Sequence, residues 1–99
     1  MRAAPKPAIV RSPEFRRWIH GQPCCACLVY GLQIAGVCGH VRTRRNHGDK
    51  ENCVSLCHGH HAHFHQWGIR TFEQRCRINL TTVAASYWQA WGGAEAAAW

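Results

Sequence analysis

No stretch of this chain is apolar for long enough to cross a bilayer, so the expectation is a soluble protein. The opening residues, Met1 to Pro7, are basic but lead into no apolar segment. No secretory leader is therefore expected, and the cysteines are read in a reducing, cytoplasmic setting. Acidic side chains are scarce: five Asp and Glu stand against twelve Lys and Arg, a formal net charge of +7. That imbalance favours a polyanionic partner, nucleic acid first, and with no apolar run no membrane partner is expected. Internal repeats are absent as well. With 99 residues the chain has room for one small domain with a modest core. Domains of this size commonly need a disulfide or a bound metal as a staple.

What the chain does have is concentrated between Asn52 and His65, NCVSLCHGHHAHFH, which holds five of the eight histidines and two of the seven cysteines. Its first half reads as a short strand and its second as a helix. On that helix His61 and His65 are four apart, so they project from one face and can share an ion. Cys57 and His60 are three apart, a ligand spacing typical of zinc knuckles. An upstream Cys24-x-x-Cys27 pair supplies a second half-site. Together Cys24, Cys27, Cys57 and His60 give the four ligands of a closed structural zinc site, with Cys25 an alternative to Cys24 in its loop. An odd number of cysteines beside histidines suits metal better than disulfides. Cys38, Cys53 and Cys76 are assigned to packing.

The elements around this stretch follow from local signals. Residues 1–11 read as a flexible arm, 12–91 as a single domain and 92–99 as a loose tail. Ser12-Pro13-Glu14 marks a helix start, and Phe15, Trp18 and Ile19 give it one apolar face over 12–20. Ile34, Val37 and Val41 suggest a strand ending near His40. A basic loop from Thr43 to Glu51 follows, with Gly48-Asp49 as its turn, and Cys53 to Leu56 form the returning strand. The helix from about His58 to Trp67 stops at Gly68. Thr71 and Gln74 have capping-box spacing for a short helix to Cys76, and Val83 to Trp91 form a last helix. Arg42, Arg44, Arg45 and Lys50, all close to the histidine cluster, are the candidate phosphate contacts. His58 and His63 fall on the other side of the helix from His61 and His65, exposed or facing DNA.

Gly39-His40-Val41 at the end of one strand, Asn52 opening the next, and LCHGHHAHFH leading through a helix together resemble the HNH endonucleases of the ββα-metal superfamily. The two CxxC/CxxH half-sites resemble its zinc-stapled branch, and HVR, GDKEN and LCHGHH look like small phage and prophage HNH proteins. The resemblance covers about residues 12–80. It implies an α+β fold with a small ββα-metal motif, a structural zinc and short flanking helices. It further implies hydrolysis of DNA phosphodiester bonds, by nicking with low sequence preference, to leave a 5′ phosphate and a 3′ hydroxyl. The carried-over catalytic set is His40 as general base, Asn52 as positioning residue, and His61 with His65 on the side of the catalytic divalent cation. Imidazole titrates near neutrality and can take a proton from water, while a cation can neutralise charge on the phosphate and the leaving oxygen.

The sequence departs from the family at Gly39, where many members carry an Asp or His metal ligand. Asp49, His47, Asn52, or the substrate phosphate with water are the alternatives for that place. A largely imidazole site suits Mn2+, Ni2+ or Zn2+, and Mg2+ would want more oxygen. The competing reading is a non-catalytic zinc-stabilised DNA-binding module, or an accessory subunit of a phage terminase or other DNA-processing complex. As a monomer the enzyme would nick; a homodimer could cut both strands.

Overall fold

A computed structural model of the chain describes residues 9–93. Helix α1 (Pro13–His20) begins where the sequence signals it: the Ser12 hydroxyl accepts from the Phe15 N–H at 3.2 Å, and Pro13 occupies the first turn. Its apolar face buries Phe15 and Ile19 completely. A one-turn helix, α2 (Cys25–Leu28), follows, capped by the Cys24 sulfur. The next segment was expected to run into a strand from about Ile34. It is instead largely irregular and exposed, with Gly31 at φ +74 turning the chain, and Ala35 makes only an isolated bridge to Pro23.

Strand β1 (Val37–His40), the one-turn helix α3 (Arg44–His47) and strand β2 (Cys53–Leu56) come next. The strands pair antiparallel, with Val37 opposite Leu56, Cys38 opposite Ser55, Gly39 opposite Val54 and His40 opposite Cys53. Helix α4 (His58–Trp67) leaves the hairpin directly and ends at Gly68, whose φ of +80 suits a residue without Cβ. Helix α5 (Ile69–Cys76) starts at once, so the expected capping box does not form: Thr71 lies inside the helix. Glu73 is used differently, its carboxylate accepting the Leu80 N–H at 2.7 Å at the start of helix α6 (Leu80–Ala90). Asn79 caps α6 by accepting from the Thr82 N–H at 3.0 Å, so that helix begins three residues before Val83. No helix among the described residues is long and apolar enough to cross a membrane.

The architecture is mixed α and β, with one two-stranded antiparallel sheet. Side chains alternate across a strand, so the hairpin has two faces. Val54 and Leu56 point into a core with Ala26, Phe72, Cys76, Leu80 and Ala84. Cys53 points the other way, into a second core with Phe15, Ile19 and Trp88, where Phe15 and Trp88 meet edge to face at 4.9 Å. Each fully buried large apolar side chain contributes about 1.5–3 kcal/mol. Helix α1 thus packs on one side of the hairpin and α4 and α5 on the other, while α6 serves both, with Leu80 and Ala84 in the first core and Trp88 in the second.

Of the expected arm, residues 1–8 lie outside the described residues, and the remainder is tied down. The Val10 carbonyl accepts the Asp49 N–H at 2.7 Å. Gly48, at φ +66, lets the two backbones meet: a Cβ there would come within 2.3 Å of the Val10 oxygen. Of the expected tail, residues 94–99 are likewise outside the described residues.

Candidate metal centre and functional site

The four residues of the two half-sites converge. Cys24 and Cys57 each stand at the start of a helix, α2 and α4, and Cys27 and His60 lie one turn further on. His60 Nδ1 is 3.4 Å from Cys24 Sγ, 3.5 Å from Cys27 Sγ and 3.3 Å from Cys57 Sγ, and the Cys27 and Cys57 sulfurs are 3.9 Å apart. A tetrahedral zinc site with bonds of about 2.3 Å to sulfur and 2.0 Å to nitrogen has sulfur–nitrogen edges of about 3.5 Å and sulfur–sulfur edges of about 3.8 Å. The donors fit that group, and these side chains could hold a metal ion such as zinc. Cys25, the alternative to Cys24, is buried but outside the set. Burial, then the neighbouring thiols, push Cys27 up to about 12. Burial also opposes ionisation of Cys57, but backbone N–H groups of His60 and Gly59 and its contacts with the other thiols outweigh it, and it titrates below its ordinary value. Crowded thiols that resist ionising together are relieved by a cation.

Starting at the residue after His60, the Nε2 atoms of His61 and His65, one turn apart, lie 3.1 Å from each other on the exposed side of α4. Burial, then the charges of His65, His58 and His40, hold His61 below its ordinary value, so it is neutral and its lone pair free to ligate. The ring lies against β1 at Gly39, where a Cβ would come within 3.2 Å of His61 Cδ2. Gly39 therefore offers no donor and also leaves the space that His61 occupies.

His40 ends β1 on the opposite face. Its Nε2 is 2.8 Å from Asp49 Oδ1, and Asp49 is fully buried. The Asp49 Oδ2 accepts the Ser12 N–H at 2.7 Å and lies 3.3 Å from Arg16 Nε. Burial alone would raise the Asp49 carboxyl, but the His40 hydrogen bond, the Ser12 N–H and the Arg16 charge outweigh it and hold it below its ordinary value. An ionised Asp49 accepts from Nε2, which leaves the lone pair of His40 on Nδ1. The sequence reading placed Asp49 in a turn and among the candidate ion ligands; the structure turns it instead towards His40 and α1. In the sequence it is one of two acids, with Glu51, in that basic loop, and nothing local points to its partners.

Asn52 is equally committed. Its Oδ1 accepts the Arg42 N–H at 2.8 Å, and its Nδ2 donates to the Arg42 carbonyl at 3.0 Å and the Gly48 carbonyl at 2.8 Å. The side chain closes the loop between the strands and so fixes both His40 and Asp49. Neither Asp49 nor Asn52 is left with a side chain free for an ion at His61. Of the four basic residues, Arg42 and Lys50 line a cleft of about 240 Å3 together with His47 and Asn52. Arg44 leans towards Asp49 at 3.8 Å, and Arg45 is exposed on α3. His63 stacks on Trp67 at 4.3 Å. Cys76 packs in the core with Cys24 and Cys27, whereas Cys38 and Cys53, expected only to pack, meet beside His40. No family model, curated protein or solved structure matches the chain.

Proposed function

We propose that the protein is a metal-dependent endonuclease of the HNH, ββα-metal kind that hydrolyses DNA phosphodiester bonds. One observation carries the reading: His61, whose Nε2 meets that of His65, lies against Gly39, and the next residue of that strand is the carboxylate-held His40. A divalent cation held by His61 and His65 would supply charge neutralisation at the phosphate and at the departing 3′ oxygen. His40 takes the proton of the attacking water on Nδ1. Asp49 fixes the tautomer and stabilises the imidazolium that forms, as a buried carboxylate does for a catalytic histidine. The bond from phosphorus to the 3′ oxygen breaks, leaving a 5′ phosphate and a 3′ hydroxyl. Asn52 acts as a positioning residue, through the loop it closes. Arg42 and Lys50, with a net charge of +7 behind them, supply the contacts to phosphate.

A second reading, a DNA-binding module or accessory subunit without its own chemistry, is favoured by strand alternation. Gly39 faces α4 and His40 faces α1, so the base and the ion pair sit on opposite faces of the hairpin rather than side by side. Supercoiled-plasmid cleavage with Mg2+, Mn2+, Ni2+, Zn2+ or a chelator separates the two. The expected result is metal-dependent nicking that falls at least about 100-fold in His40→Ala, within the usual range for a general base, while DNA is still retarded on a gel. Retardation with no cleavage under any metal would leave the binding module as the reading.

A further inference from the structure

We propose that Cys38, His40 and Cys53 form a second metal site, for a thiophilic cation such as zinc, on the α1 face of the hairpin. Their ligand atoms all lie within 4.8 Å of one another. The cluster follows from the strand register. Cys38 and His40 are two apart on β1 and project from one face, and Cys53 on β2 stands opposite His40 and diagonal to Cys38. Three donors are thus fixed on one patch by backbone pairing. Asp49 Oδ1, 3.9 Å from Cys53 Sγ and 2.8 Å from His40 Nε2, places a carboxylate beside the set, as histidine ligands commonly have. Cys53 is fully buried, whereas Cys38 and His40 reach the surface, so an ion would enter from their side. Two thiols and an imidazole select zinc, cadmium or copper(I) over magnesium or calcium.

The site itself stands on this geometry and needs no enzymatic activity. Its consequence rests on the nuclease reading: an ion there engages the imidazole of His40, and the histidine that takes the proton from water is no longer free. A thiophilic ion would then act as an inhibitor at a place distinct from the ion that His61 and His65 hold.

The test is a Co2+ titration of the reduced full-length chain in a His61→Ala, His65→Ala background, which removes the exposed imidazole pair. Two equivalents are expected, with the sulfur-to-cobalt charge-transfer absorption rising as the liganding thiolates go from the three of the first cluster to five. Adding Cys38→Ser and Cys53→Ser should return the stoichiometry to one and leave the circular dichroism unchanged. If the double serine variant does not fold, His40→Ala in the same background should also lose the second equivalent. A single equivalent before the serine substitutions, or two after them, would overturn the site. In parallel, Zn2+ added to chain with native His61 and His65, working with Mg2+ or Mn2+, should inhibit cleavage at least tenfold, and Cys38→Ser with Cys53→Ser should abolish that inhibition. Equal inhibition of both proteins would refute the shared use of His40. An inactive protein that still bound two cobalt ions would instead count against the nuclease reading alone.

Discussion

The two faces of the hairpin are built by different means. On the α4 side, the four-residue cluster comes from local chemistry: each half-site is a pair of residues three apart at a helix start, and only one long-range meeting joins them. On the α1 side nothing is local. His40, Cys38 and Cys53 meet through strand register, and Asp49 reaches His40 through a loop pinned by Asn52, Gly48 and Val10. The first face gathers four ligand atoms that a metal ion could close, with the His61–His65 pair next to them on α4. The second is closed by ordinary hydrogen bonds and a buried carboxylate, and so can present an imidazole whose second nitrogen is uncommitted to Asp49. On the proposed function, the contrast is between a staple beside the hairpin and a working group carried on it.

The largest effect should come from breaking the staple. Structural zinc in small domains binds with about 10–16 kcal/mol of apparent free energy, as much as or more than the 5–15 kcal/mol that stabilises a typical domain. Cys57→Ser, or prolonged treatment with a strong chelator, is therefore expected to abolish the cooperative thermal transition seen by circular dichroism. It should also expose Trp88 and Trp91 to solvent. A chelated protein that melted cooperatively within about 2 °C of the untreated one would show that the cluster is not the staple.

The same contrast explains what could be read before any coordinates. The first cluster was legible because ligand spacing is a local property, and the helix at Ser12 because its cap and apolar face sit within eight residues. The strand pair was legible in outline, though Ile34 was drawn into it wrongly: a glycine with positive φ at 31 breaks the run that its apolar residues suggest. The capping box at Thr71 had the right spacing, but α5 follows α4 after a single glycine, and Glu73 serves α6 instead. What was missed of Asp49, read as a turn residue and candidate ligand, was its set of partners. Its partners are Ser12, Arg16 and His40, and no window of sequence holds all four residues.

The second effect tests whether the faces are energetically separate. Asp49→Asn leaves Arg16 without its charge partner and weakens the hold on His40. Breaking a buried pair costs about 3–5 kcal/mol, and because the Arg16 side chain is 27% exposed, about 2 kcal/mol is the better expectation here. Urea unfolding should show a lower midpoint with an unchanged slope. In a Cys38→Ser, Cys53→Ser background, which leaves only the four-residue cluster to hold zinc, zinc content should not change on Asp49→Asn. In the otherwise unsubstituted chain, cleavage should fall with the loosened histidine. Loss of zinc from the four-residue cluster in Asp49→Asn would mean that the two faces are one cooperative unit, and the distinction drawn between them would fail.

The smallest effect separates residues that look alike in sequence. Arg42 and Lys50 line the cleft beside Asn52, whereas Arg44 leans on Asp49. Each phosphate contact contributes about 0.9 to the slope of log binding constant against log salt. Arg42→Ala and Lys50→Ala should therefore each flatten that slope by nearly one, with stability unchanged. Arg44→Ala should leave the slope within about 0.3 of the unsubstituted protein and should lower the urea midpoint slightly, because it removes a distant partner of a buried carboxylate. Fluorescence anisotropy with a short duplex at four salt concentrations reads the slopes directly. If Arg44→Ala flattened the slope as much as Arg42→Ala, the whole basic loop would be a DNA contact, and the ion pair to Asp49 would not be its role. The α1 face would then hold His40 through fewer partners than the distances indicate.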